Sequence, residues 1–203
     1  VATASDGSVY TTGRTYGDLG GETNSGASDA FLTKYSSDGT KAWTKLLGSS
    51  GFDYSNGVAT ASDGSIYITG LTQGDIDGET NAGSSFEGES YSDDIFIVKY
   101  SSDGTKVWTK LVGTTDFDLG RAITTSSDGS IIYVTGYTQG ALNDETNAGH
   151  FDAFLMKLAE AFAARVQPYA AMQNVGLASI KNNRDLVLAK AGECNNSGWV
   201  IKN

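Results

Sequence analysis

Ser36–Gly48 reads SSDGTKAWTKLLG, and Ser101–Gly113 reads SSDGTKVWTKLVG. Each copy sets a polar Asp-Gly pair inside flanks of β-favouring residues. Before the pair, Phe31, Thr33 and Tyr35 fall on one side of an extended chain and Ala30, Leu32 and Lys34 on the other. Asp38-Gly39 then supplies the positive-φ conformations of a tight hairpin turn, and β-favouring residues resume through Trp43. The stretch therefore predicts a β-hairpin, written at least twice.

Working outward, the whole repeat has two halves. The first reads DAFLTKYSSDGTKAWTKLLG from Asp29 and DIFIVKYSSDGTKVWTKLVG from Asp94, with only its opening, DAFLMKL, from Asp152. The second reads VATASDGSVYTTG from Val1, VATASDGSIYITG from Val58 and ITTSSDGSIIYVTG from Ile123. Val1 to Val58 sets a base period of about 57 residues, lengthened in the next copy by an insert around SFEGESYS, Ser85 to Ser92. Each half carries one Asp-Gly turn, at Asp6, Asp38, Asp63, Asp103 and Asp128, so one period holds two hairpins and four strands. The single proline, Pro168, lies beyond these ladders. Four antiparallel strands at this period predict an all-β fold, a β-propeller-type array of four-stranded blades.

The pattern D-A-F-x-x-K-Y, S-D-G-T-K-x-W-T-K-L-x-G, then D-G-S-I-Y-x-T-G resembles the bacterial β-propeller repeat called SBBP, over residues 1 to about 158. The resemblance implies an extracytoplasmic bacterial protein, often very large, whose repeats sit beside adhesion or calcium-binding modules, and it carries no catalytic motif. On the repeat boundaries, residues 1–28 form a partial blade, 29–93 and 94–151 two blades, and 152–158 the start of another. Residues 159–203 form a divergent segment that completes or caps the array.

That segment opens with the alanine-rich AEAFAARVQPYAAM, which fits a short amphipathic helix or a degraded strand pair. Further on, Asp185, Lys190 and Trp199 repeat the intervals of Asp94, Lys99 and Trp108. This resembles a diverged first hairpin over 185–203, and two arrangements follow: it joins residues 1–28 in a composite, ring-closing blade, or the array is an open arc whose edges are covered by further repeats, by the tail or by another copy.

Net charge is −10, from 14 Lys plus Arg against 24 Asp plus Glu, which opposes nucleic acid and anionic lipid as partners. No run of 18 apolar residues offers a membrane span. Catalytic templates lack parts. His150 is the only histidine, so a Ser-His-Asp triad would have to use a variable loop, and Cys194 is the only cysteine and has no histidine beside it. No motif requires a cofactor. Ca²⁺ is the ion the sequence can accommodate, in the loop GDIDGETNAGSSF, where Asp75, Asp77, Glu79 and Asn81 supply four oxygens. The sibling loops put Gly20 and Ala141 where Asp77 and Asp75 stand, which favours ordinary turn chemistry. Trp43 and Trp108 read as residues packed between neighbouring blades. Asp53 and Asp118 read as loop hydrogen-bonders, and Asp29, Lys34, Asp94 and Lys99 as solvated charges.

These features predict a non-enzymatic structural or adhesion module of a larger bacterial cell-surface or extracellular protein. Its partners would be other repeats or domains of the same polypeptide, or protein or carbohydrate at a cell surface. A carbohydrate-binding propeller using aromatics such as Tyr16 and Tyr137 is one alternative, and a subunit of an extracellular filament is another.

Overall fold

A computed structural model describes residues 1–83 and 93–159, and three further strands within 187–201. The Ser85–Ser92 insert and the helix-or-strand alternatives after Ala159 lie outside the described residues.

The repeated hairpins build three four-stranded antiparallel sheets. Sheet I is β1 (Ala2–Thr3), β2 (Val9–Thr15), β3 (Asp29–Tyr35) and β4 (Lys41–Leu47), hydrogen-bonded in that order. Sheet II repeats it with β5 (Asp53–Thr60), β6 (Ile66–Thr72), β7 (Asp94–Tyr100) and β8 (Lys106–Val112). Sheet III has β9 (Asp118–Thr125), β10 (Ile131–Thr138), β11 (Asp152–Ala159) and β12 (Val187–Lys190). A separate hairpin pairs β13 (Gly192–Asn195) with β14 (Gly198–Ile201).

Two expectations need correction. The sheets do not follow the 29–93 and 94–151 boundaries: sheet II runs from Asp53 to Val112. The cause is pairing across the long polar loop, Thr72 opposite Asp94, whereas the short 48–52 connection carries the chain to the next sheet. A repeat period alone does not say where to cut. Of the two arrangements for 185–203, the ring-closing blade is not the one found. Val187–Lys190 pairs with β11 as the fourth strand of sheet III, leaving the described strands an open array.

The turns differ in type from the expected one as well. Gly7, Gly39, Gly64, Gly104 and Gly129 have φ of +72° to +87°, but none of their preceding aspartates does. Instead Asp6, Asp38, Asp63, Asp103 and Asp128 each accept the backbone N–H two residues on, at 2.9–3.0 Å. The glycine takes the left-handed position, and the aspartate fixes the turn through its side chain.

The sheets stack face on face, and their leading strands β1, β5 and β9 pack on one another inside the arc. Sheet II is buried on both faces. One face, with Ile66, Ile68, Phe96, Val98 and Tyr100, meets Tyr10, Ala30 and Leu32 of sheet I. The other, with Tyr67, Ile95 and Ile97, meets Ile132, Val134, Phe154, Met156 and Leu158 of sheet III. Each fully buried large apolar side chain contributes roughly 1.5–3 kcal/mol, so these two seams hold the array together. Hydrogen bonds add register along the inside: Thr60 Oγ1 donates to Thr3 O (3.0 Å) and Thr125 Oγ1 to Thr60 O (3.1 Å).

Candidate functional site

Tryptophan positions come first, because the repeat marks them most strongly. Across sheet I, Tyr10, Lys34 and Trp43 stand opposite one another on neighbouring strands, and Tyr67, Lys99 and Trp108 do the same in sheet II. In both rows the tyrosine and tryptophan rings tilt together, centroids 6.0 and 6.1 Å apart, with the lysine ammonium 5.5 Å from the tyrosine centroid. Trp43 lies against Gly104, in the turn of the next sheet, where an added Cβ would sit 3.0 Å from the indole. Lys34 Nζ reaches the same turn and donates to Ser102 O at 3.2 Å. The tryptophans are therefore seam residues, as their sequence predicts.

The aspartates that open the strands are buried, which corrects the reading of Asp29 and Asp94 as solvated charge. Asp29, Asp53 and Asp118 are 0% exposed and Asp94 1%. All lie at one end of the sheets, Asp53 opposite Thr72 and Thr72 opposite Asp94, with Asp118 opposite Thr138. Asp53 and Asp118 do bond to loops: each Oδ2 accepts the N–H and hydroxyl four residues upstream, from Ser49 at 2.6 and 2.9 Å and from Thr114 at 2.6 and 2.8 Å. Asp29 and Asp94 accept N–H groups of the polar loop, Ser25 at 3.0 Å and Ala82 at 2.7 Å. Among the described residues their Oδ1 atoms have no hydrogen-bond partner, and those of Asp29 and Asp94 lie against Gly48 and Gly113, where a Cβ would come within 2.2 Å.

Burial favours the neutral acid at these positions. It raises the carboxyls of Asp53 and Asp118 above the usual range, despite the hydrogen bonds they accept from Ser49 and Thr114. Asp93 and Asp94 are pushed up to about 6, by burial first and neighbouring aspartates second.

Above this acidic layer, the strand ends expose aromatic rings and guanidinium groups. Phe117 stacks on Tyr137 (5.8 Å, 14°), Phe151 meets both edge-on, and His150 stacks on Phe151 at 4.7 Å. Arg121 lies 5.4 Å from the Tyr137 centroid. One seam over, Arg14 of sheet I sits over Tyr16 (5.1 Å) and over Tyr54 of sheet II (5.2 Å). Tyr16 is 65% and Phe151 52% exposed. Such a surface offers ring faces and charged hydrogen-bond donors, the chemistry of planar or sugar-like ligands. Tyr16 and Tyr137 were legible as candidates. Arg14, Arg121 and Phe151 were not, because the repeat puts other residues in their places, and Phe117, which Phe52 matches in the preceding copy, was not singled out by the sequence.

The four calcium candidates are each engaged with protein donors. Asp75 Oδ1 accepts the Asn81 N–H (2.9 Å), and Asn81 Oδ1 accepts the Gly83 N–H (2.8 Å) while its Nδ2 donates to Thr72 O (3.0 Å). Asp77 pairs with Lys106 Nζ and accepts Thr109 Oγ1, and Glu79 accepts the Leu111 N–H at 3.4 Å. Among the described residues no three His, Cys, Asp or Glu side chains form a metal-holding group. The loop is thus held as a strap along its own sheet, and Glu22–Lys45 (2.8 Å) repeats that strap in sheet I. His150 Nδ1 shares a hydrogen bond with Gln139 Nε2 (3.0 Å). Cys194 stands opposite Trp199 in the β13–β14 hairpin.

Comparison with known proteins gives two findings. Residues 42–77 match the family described as SBBP, β-propeller repeat. "Regulatory protein FlaEY" of Caulobacter vibrioides is 31% identical over 121 residues, 54% of this chain and 12% of that protein's length. No helix among the described residues is long and apolar enough to cross a membrane, which leaves β-barrels unaddressed.

Proposed function

Because the chain carries the SBBP β-propeller repeat, we propose that it is a non-enzymatic structural and adhesion module of a larger bacterial cell-surface or extracellular protein. One observation supports this reading above others: the residues the repeat writes most faithfully, Tyr10–Lys34–Trp43 and Tyr67–Lys99–Trp108, are spent on joining sheet to sheet. The recurring Tyr-Lys-Trp rows serve assembly, while Arg14, Arg121 and Phe151 at the exposed strand ends vary from copy to copy. A module of this kind spaces and presents other domains. The test is to delete the repeat segment from its reading frame in the source bacterium, then measure attachment and labelling of intact cells by a membrane-impermeant biotin reagent. Labelling of the intact protein and loss of attachment on deletion are expected. Labelling only after lysis would remove the surface location, and unchanged attachment would remove the adhesive role.

A second reading is favoured by the Phe117–Tyr137–Phe151 cluster under Arg121, which suits a carbohydrate or other small ligand. Binding on a glycan array that disappears in Tyr137→Ala would support it, and an array with no signal would not.

A further inference from the structure

We propose that the groove at the rim of the first seam, between β4 of sheet I and the β7–β8 turn of sheet II, binds a neutral sugar through its hydroxyls. The groove has a volume of about 380 Å³, within the range of small-ligand sites. Glu22, Lys45 and Leu46 form one wall, Gly104 and Lys106 the other, and Tyr100 lines it between them. Both walls belong to the described residues, and Trp43 packed against Gly104 holds them together.

Tyr100 carries the argument. It is 2% exposed, yet its hydroxyl takes part in no hydrogen bond among the described residues. A polar group placed so deeply ordinarily has a partner, because a hydrogen bond left unmade away from water is costly. Packing alone does not call for a phenol here: at the second seam the same strand position is Leu158, 3% exposed. Burial, and then the carboxylates of Asp77 and Glu22, raise the phenol's pKa, so it stays protonated and can donate as well as accept.

Charge selects the ligand. The groove's ammonium groups are each held by a carboxylate, Lys45 by Glu22 at 2.8 Å and Lys106 by Asp77. Asp103 adds a further negative charge to the lining. An anion would meet Asp103 on a chain of net charge −10, and a cation would meet two ammonium groups. A neutral hydroxyl breaks neither pair: it donates to a carboxylate oxygen and accepts from an ammonium or from the phenol. Glu22 offers such an oxygen, since Lys45 occupies only its Oε1 and its Oε2 takes no hydrogen bond among the described residues. Leu46 and Gly104 supply apolar surface for the C–H face of a sugar ring.

This site is separate from the Phe117–Tyr137–Phe151 cluster and does not depend on the surface-module reading. Its test is a titration of the ¹⁵N-labelled chain with maltose, lactose, cellobiose and isomaltose, followed by amide shifts, with glucuronate as the charged control. The amides of Lys45, Leu46, Gly104 and Thr105 should shift together and saturably at millimolar sugar, and should not do so with glucuronate. Dextran set against isomaltose distinguishes a glycan chain from a free sugar, and saturable shifts from either support the site. Tyr100→Phe should weaken binding about tenfold, the loss of one hydrogen bond to a buried partner. Thr105→Trp, at an exposed turn position lining the groove, should abolish it by filling the space, and serves should Tyr100→Phe unfold. Tyr137→Ala should leave it unchanged. A groove that holds only water gives no saturable shift at these four amides with any of the sugars, which overturns the proposal. Undiminished binding in Tyr100→Phe or Thr105→Trp overturns it as well, and so do shifts confined to Tyr137 and Phe151, which would instead support the aromatic cluster.

Discussion

At the scale of single residues, the seam explains why one chain repeats a tryptophan. Trp43 is half-buried, yet it closes a gap between sheets that only a glycine turn leaves wide enough. Trp43→Ala should cost about 2–4 kcal/mol, the range for truncating a large aromatic at a packed contact, read as a fall in urea midpoint. A loss below a few tenths would mean that the indole contributes no packing. Trp108 adds a detail: its buried Nε1 has no partner among the described residues, so Trp108→Phe should cost less than its lost area implies. The tryptophans were legible because a residue that fits a recurring slot recurs with it. The buried aspartates were not. Asp29 opens a strand and is followed five residues later by Lys34, which reads as surface charge. The covering of its carboxyl comes from Gly48 and the Ser25 loop, and no local pattern announces that.

Hairpins belong to the next scale, and there the sequence is a good guide to what forms but a poor one to how it is grouped. Alternation in DAFLTKY and DIFIVKY placed the strands, and the Asp-Gly pairs placed the turns. Grouping depends on which loop is crossed by hydrogen bonds, and the long Glu-Thr-Asn loop is crossed while the short 48–52 connection is not. Two equivalent turns can separate local from seam energetics. Gly39 and Gly104 have nearly equal φ, +85° and +87°, but only Gly104 faces an indole. Gly39→Ala should therefore cost only the left-handed strain, roughly 1–2 kcal/mol. Gly104→Ala adds displacement of Trp43 and should cost measurably more, with a shift in tryptophan emission that Gly39→Ala lacks. Equal costs and unchanged spectra would show that the turn does not seat the ring.

For the whole molecule, the buried acids set how stability depends on pH. Asp93 and Asp94 have folded-state values of about 6, above the ordinary 3.8, so the native state holds their protons more tightly than the unfolded chain. Their contribution is fully present below about pH 4 and is lost as pH rises through 6. Asp53 and Asp118, also raised, act in the same direction. Asp103 and Asp128 act oppositely: hydrogen bonds from neighbouring hydroxyls and N–H groups hold them down to about 2, so their contribution is lost as pH falls from 4 toward 2. The net charge of −10 at pH 7 adds self-repulsion at the alkaline side. Thermal stability should therefore peak near pH 4–5 and decline by pH 8, the reverse of a protein held by surface carboxylates. Asp94→Asn is the decisive variant, because the amide oxygen can still accept the Ala82 N–H while no charge is buried. It should raise stability at pH 8 by on the order of 1–3 kcal/mol, the scale of a two-unit shift, and change it little at pH 4. Melting curves of wild type and variant from pH 4 to 8 check this. Parallel curves would show that Asp94 carries its charge at no cost, and that the acidic layer is solvated rather than sealed between the sheets.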